Sequence, residues 1–251
     1  MEPILSTQDV TVDFQGFKAI QNLNFRMESR TVHFLIGPNG AGKTTLLDVI
    51  CGKIKPASGK VMFKGKVDLT RLPEHKIVRL GVGRKFQAPS VFPGLTVFEN
   101  LELALKQNNG LLATLRARVK PSEREKIEQT LATVRLTEQA YQIAGSLSHG
   151  QKQWLEIAML LVQEPELVLL DEPTAGMTKT ETEMTGELIR EISRRSSVLV
   201  VDHDMEFVRR FSDRVTVMHS GSILCEGTIA DVQRDDRVAE IYLGRRQEVA
   251  C

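Results

Sequence analysis

An α/β fold built on a mostly parallel sheet is expected from three features of this 251-residue chain. Short, almost continuously apolar runs in "TVHFLI", "ELVLLDEP" and "SVLVVDHD" each lead towards segments with helical signals, the rhythm of strand-helix-strand units. Runs of that kind need both faces covered, which helices flanking a parallel sheet provide. Between residues 88 and 163 the rhythm gives way to helix signals, as a helical insertion would.

The elements follow in order. In "DVTVDF", Val10, Val12 and Phe14 alternate with polar residues, the pattern of a half-buried strand. "TVHFLI" leads straight into "GPNGAGKTT", and "TTLLDVICG" reads as a helix stopped by Gly52. "GKVMFKGKVDL" has the form of a hairpin turning at Gly65-Lys66, and "GVGRKF" that of a short strand. Thr96 with Glu99 and Ser122 with Glu125 are capping-box pairs, opening helices in "VFENLELALKQ" and "EREKIEQTLATVRL". The intervening "NNGLLATLRARVKP" is expected to be a loop with some helix. Ser148 with Gln151, in "SLSHGQKQW", is a third capping box. "TETEMTGELIREISRR" and "MEFVRRF" read as helices, and "DRVTVMHSGSILCEG" as a hairpin turning at Ser220-Gly221.

Composition narrows the function classes. A net charge of +1 gives no electrostatic footprint for bulk nucleic-acid binding. Cys51, Cys225 and Cys251 have neither paired nor metal-ligand spacing, which points to a reducing compartment. "MEPILSTQDV" lacks the parts of a secretory signal, and the longest apolar runs are too short to cross a bilayer. The expectation is a protein soluble by itself, any membrane role coming through partners.

The chemistry concentrates in a few places. "GPNGAGKT", comprising Gly37, Pro38, Asn39, Gly40, Ala41, Gly42, Lys43 and Thr44, fits G-x-x-x-x-G-K-[ST] in full between a strand and a helix. Glycines let backbone N–H groups converge on phosphate oxygens, Lys43 adds a positive charge, and the Thr44 hydroxyl can ligate Mg²⁺, with Thr45 a neighbouring hydroxyl. Leu167 to Leu170 deliver Asp171 to the carboxyl end of a strand, where ligands of α/β proteins bind. Asp171 can complement a metal and Glu172 can polarise an attacking water. His203, after "SVLVV" and Asp202, reaches the same edge and can donate to a γ-phosphate and hold the water's geometry. Gln87 ends "GVGRKF" where the insertion begins, and could link nucleotide state to its movement. The helix start at Ser148 can also hold an anion.

"GPNGAGKT", Gln87, "LSHGQ", "LVLLDEP" and "VDHD" occur in the order and approximate spacing of ATP-binding cassette (ABC) ATPases, and the chain resembles that family over nearly its whole length. The resemblance implies a single P-loop NTPase domain with an N-terminal antiparallel β subdomain and a helical insertion. It divides into residues 1–87, 88–163 with the signature motif, and 164–251. It implies ATP and Mg²⁺ as cofactors, with Thr44, Gln87 and Asp171 around the metal. Lys43, Gln87, Glu172 and His203 would be catalytic. Ser148, Gly150 and Gln151 would be signature residues that touch ATP held by a second cassette, and Phe14 would stack on adenine with Phe17 as the nearby alternative. Core packing is the other reading of Phe14, since it continues the Val10, Val12 alternation. Two positions depart from the common pattern: His149 where many cassettes have glycine, and Thr178 where many have aspartate.

The resemblance also implies partners: a second ABC ATPase subunit, in a homodimer or a heterodimer with a paralogous subunit, transmembrane permease subunits, and indirectly a solute-binding protein. Nucleic acid is not among them. The cassette would sit in the cytoplasm, peripheral on the membrane, with Val91, Phe92 and Leu95 forming either a docking patch or insertion core. Longer segments are similar to importer ATPases for branched-chain amino acids, and "GRKFQ", "AGMT" and "EIYLG" look most like the urea importer's subunit. Urea is therefore the expected solute, with branched-chain amino acids as the alternative, an assignment by association because a cassette does not touch its solute. A soluble ABC protein acting on nucleic acid or ribosomes fits less well, as the chain has no tandem cassette or long coiled coil. A metabolic kinase would leave "LSHGQ" unexplained.

Overall fold

A computed structural model of the chain describes residues 2–85, 91–106 and 120–240. Its centre is a six-stranded sheet in the order β11 (Ser222–Gly227), β10 (Arg214–His219), β4 (Val32–Ile36), β9 (Ser197–Val201), β8 (Leu167–Asp171) and β7 (Val82–Arg84). Every neighbouring pair is parallel except β10 with β11. A second, antiparallel sheet runs β2 (Phe17–Leu23), β1 (Leu5–Phe14), β5 (Ser58–Phe63) and β6 (Val67–Asp68), with β3 (Arg26–Met27) paired to β1. Both the mostly parallel sheet and the antiparallel companion are as expected.

Strand alternation divides the core in two. Val32, Phe34 and Ile36 of β4 point to one face, with Val168, Leu170, Val198 and Val200 beside them. On that face α6 (Lys179–Ser193) packs against β4, β9 and α7 (Met205–Phe211), while α3 (Val97–Lys106), α4 (Pro121–Thr133) and α5 (His149–Leu161) pack on one another and join the same apolar cluster. Leu35, Leu167, Leu169, Leu199 and Val201 point to the other face, against α1 (Lys43–Ile50) and the antiparallel sheet. Leu46 and Leu47 of α1 are fully buried there, each contributing about 1.5–3 kcal/mol through the apolar surface removed from water. The short helices α2 (Glu74–Arg79) and α8 (Ile229–Gln233) and two 3-10 turns, Leu69–Arg71 and Ala144–Ser146, are the other helical elements of the described residues.

The turns obey local chemistry. The β5–β6 hairpin puts Lys64 and Gly65 at positive φ, and the β10–β11 hairpin does the same with Ser220 and Gly221. Gly52, at φ 79°, ends α1 as expected. One helix start differs from the sequence reading. Ser122 lies inside α4, and it is Glu123 whose carboxylate accepts from Lys120 N, at 2.9 Å. Pro121 explains the shift, because its fixed φ suits the first helical position and its missing N–H is no loss there. Most of the segment read as loop with some helix lies outside the described residues, as does Gln87.

Candidate active site

Three strands end level. Leu35 of β4 is in register with Val201 of β9, and Val201 with Asp171 of β8. The loop after Ile36, the Asp202–His203 pair and Glu172 therefore emerge side by side at the carboxyl edge of the sheet, where the open ends of parallel strands form a binding crevice.

The glycines of residues 37–44 serve different ends. A Cβ on Gly37, at φ 148°, would collide with the Met218 carbonyl, and one on Gly42, at φ 99°, would lie 2.6 Å from the Ala19 carbonyl. These two hold the loop hard against β10 and β2. Gly40, at φ 80°, has nothing within 4 Å of such an atom, so its glycine meets the backbone conformation and leaves the approach open. Gly42 is also the N-cap of α1, and no side chain caps that helix. Its first N–H groups are thus available to an anion at the positive end of the helix dipole. Lys43 is buried and donates to Gly37 O at 2.7 Å and Pro38 O at 3.0 Å. Burial lowers its pKa, while the charges of Glu172 and Asp171 act in the opposite direction, so both acids lie within electrostatic reach of the cradle. Thr44 is exposed and Thr45 half-buried.

Asp171 is buried, and burial raises its pKa against the nearby positive charge of Arg84. The Arg84 guanidinium donates through Nη2 to Asp171 Oδ2 at 3.4 Å and through Nη1 to Asp48 Oδ1 of α1 at 2.6 Å. Glu172 turns the chain in left-handed backbone, φ 47°, and its N–H donates to Val201 O at 2.8 Å. Its Oε1 lies 3.5 Å from Nδ1 of His203. Asp202 braces this corner: its carboxylate accepts from His203 N at 2.7 Å, Asp204 N at 3.0 Å and the Thr174 hydroxyl at 3.0 Å. Sequence reasoning missed the contributions of Asp48, Arg84, Thr174 and Asp202. The available signal was the placing of charged or hydroxyl residues beside the motifs, and it did not identify their partners.

Among the described residues no group of three or more His, Cys, Asp or Glu gathers into a metal cage. The donor set fits Mg²⁺ nonetheless, since that ion takes one or two carboxylates together with phosphate and water oxygens. Asp171 and the Thr44 hydroxyl are of that type.

The signature segment lies elsewhere. Ser148 caps α5, its Oγ accepting from Gln151 N at 3.2 Å while its own N–H donates to Gln151 Oε1 at 2.9 Å. Among the described residues no hydrogen bond joins Ser148, Gly150 or Gln151 to residues 37–45. The reason is topological: α1 packs on one face of the main sheet and α5 on the other. The two departures from the common pattern have local explanations. His149 Nε2 meets Ala175 O at 3.1 Å, and Thr178 caps α6, its Oγ1 accepting from Glu181 N at 3.3 Å. Gly150 is close-packed, for a Cβ there would collide with Glu181 Oε1.

Phe14 and Phe17 face each other across the end of the β1–β2 hairpin and are 47% and 66% exposed. The alternation holds through Val10 and Val12, which are buried, and stops at Phe14, the last residue of β1 before the turn, so core packing does not extend to it. Of the three apolar residues after Gln87, Val91 packs against the core, Leu95 is half-buried and Phe92 is exposed. Tyr141 and Ile143, not singled out from the sequence, are exposed too, and Ile143 bridges to Thr96. No helix among the described residues is long and apolar enough to cross a membrane.

Comparison with known proteins bears on this geometry. The family model described as "ABC transporter" matches residues 20–175. The high-affinity branched-chain amino acid transport ATP-binding protein BraF of Pseudomonas aeruginosa is 37% identical over 251 residues, covering 96% of this chain and 98% of its own. The ADP conformation of MJ1267, an ATP-binding cassette of an ABC transporter, superposes with TM-score 0.87 at 30% identity, covering 97% of this chain and 100% of that one. A dimeric post-hydrolysis structure of the cassette MJ0796, bound to ADP and Pi, gives TM-score 0.75 at 26% identity over 90% of this chain and 98% of that one. With its phosphate cradle and acidic strand end on one edge of the sheet, and likeness to cassettes along nearly its full length, the chain belongs to the ABC transporter family and is an ATPase of that family.

Proposed function

We propose that this ATPase powers uptake of branched-chain amino acids through separate permease subunits. The solute reading rests on BraF, whose name carries that substrate, and it replaces the urea expected from "GRKFQ", "AGMT" and "EIYLG". Lys85, the lysine of the first of these motifs, is buried within the chain and paired with Glu156, so it supplies no surface on which a permease could be recognised.

The observation that carries the catalytic reading is the level ending of β4, β9 and β8, which gathers the Lys43 cradle, Asp171, Glu172 and His203. In this reading the N–H groups of residues 37–45 and Lys43 bind the polyphosphate, while Phe14 or Phe17 stacks on adenine. Thr44 and Asp171, with Gln87, would hold Mg²⁺, which when bound neutralises phosphate charge. Glu172 polarises the water for in-line attack and His203 fixes its orientation, so that catalysis is mostly positional and electrostatic.

Ser148, Gly150 and Gln151 serve a second cassette. Their helix starts on the sheet face opposite the cradle, and MJ0796 supplies a dimeric precedent. The partner is a second copy or a paralogous subunit. The exposed Phe92, Tyr141 and Ile143 of the segment between residues 88 and 163 suit a permease contact at the cytoplasmic face, with residues 1–87 and 164–251 forming the nucleotide-binding remainder.

Uptake of labelled leucine and urea in the source organism, with the gene deleted and then restored, tests this function. Deletion should abolish leucine uptake, the native chain should restore it, and Glu172→Gln should not. Loss of urea uptake with leucine uptake intact would overturn the solute assignment.

A further inference from the structure

β7 leads into two consecutive cations, Arg84 and Lys85, which are only 7% and 6% exposed. Alternation sends them to opposite faces of the sheet. Arg84 follows Val82 towards α1, reaching Asp48 and Asp171. Lys85 follows Gly83, whose neighbours are Pro165 and Leu160, and its Nζ lies 3.4 Å from Glu156 Oε2 within α5. The Lys85 N–H also donates to Leu169 O at 3.0 Å, which fixes its backbone to β8.

A buried ion pair is weak evidence for stability, since well-packed apolar residues of similar volume often do as well or better. The surroundings of Glu156 on α5 are apolar, including Leu155, Ile157 and Ala158. What the pair adds is a directional link. It joins the helix that Ser148 caps, with Gly150 in its first turn, to Lys85, whose preceding residue Arg84 holds Asp171.

We infer that Lys85, acting through Glu156, is a positioning residue that couples nucleotide bound at this chain's own cradle to the setting of the helix it offers its partner. The inference rests on the proposed ATP site and goes beyond it by naming the residues that connect one composite site to the other.

Trp154, the chain's single tryptophan, provides the readout. It lies on α5 two residues before Glu156, buried, with its indole N–H donating to Thr185 Oγ1 of α6 at 2.9 Å. Full-length protein carrying Glu172→Gln, chosen to suppress turnover, is titrated with Mg-ATP. Binding is followed by equilibrium dialysis and α5 by Trp154 emission. The parent should bind ATP and change its emission. Adding Lys85→Met and Glu156→Leu together removes both charges without leaving either buried alone. ATP should still bind in dialysis, while the emission change is lost.

The reversed pair, Lys85→Glu with Glu156→Lys, should recover the response. If the apolar pair does not fold, Glu156→Gln replaces it in the same comparison. An undiminished response in the pair-less protein, or a Trp154 unresponsive to bound ATP in the parent, would overturn the inference. A parent that fails to bind ATP in dialysis would instead bring down the nucleotide site, and this inference with it.

Discussion

Glu172 occupies left-handed backbone, φ 47°, at a cost of about 1–3 kcal/mol for a residue with a side chain. Glycine adopts that conformation freely but loses roughly 0.5–1 kcal/mol through the entropy of its unfolded chain. The balance favours glycine by about 1 kcal/mol. Glu172→Gly is therefore expected to unfold at higher urea concentration than Glu172→Gln, while both lose ATP turnover. A glycine variant no more stable than the glutamine variant would show that this backbone carries no strain.

At the scale of elements, the α6–α7 contact provides a test of packing. A Cβ on Gly186 of α6 would collide with the Phe211 ring of α7, and Phe211 is itself buried. Gly→Ala within a helix gains about 1 kcal/mol in propensity, whereas overpacking a core costs about 1–3 kcal/mol. Gly186→Ala should accordingly lose about 1 kcal/mol in urea denaturation. A gain in stability would mean that the ring gives way freely. Elements of this kind were largely legible in the sequence. The continuous apolar strands marked the parallel sheet, and the Ser148–Gln151 and Thr96–Glu99 pairs marked two helix starts, because both signals are local. The start of α4 was misjudged where two acids, Glu123 and Glu125, competed for one cap and Pro121 decided between them. The cradle could be read residue by residue, since Gly37 to Thr44 is one contiguous stretch running from a loop into the start of α1. Arg84 could not, because its partners Asp48 and Asp171 come from distant parts of the chain. The exposure of Phe14 follows from its place as the last residue of β1, beside the turn, which alternation alone does not reveal.

Over the whole molecule, stability should depend on pH through His33. The ring is buried between the two sheets, edge-on to Phe25, with Nε2 2.8 Å from Thr216 Oγ1. Its Nδ1 has no hydrogen-bond partner among the described residues. Burial, helped by the positive charge of Arg214, lowers its pKa from 6.5 to about 3. Below pH 6.5 the unfolded chain therefore takes up a proton that the folded one refuses, and stability falls as pH falls from there towards 3. Between pH 7.5 and 5.5 the loss should be about 1.4 kcal/mol, measured by urea denaturation and largely absent in His33→Gln. Burial raises the pKa of Asp171 and Asp202, which works in the opposite sense as those carboxylates take up protons, so the comparison belongs above pH 5.

Leu101, Ile127 and Trp154, from the helical region, share one apolar cluster with Val168 and Val200 of the sheet. Those helices pack on one another, and part of their apolar surface is shared with the sheet. Excised as a separate fragment, they would present a greasy underside to water and clump, and the stripped sheet would do the same. Engineers wishing to re-address this ATPase to another transporter should therefore repaint surface side chains in place and leave the helical block attached.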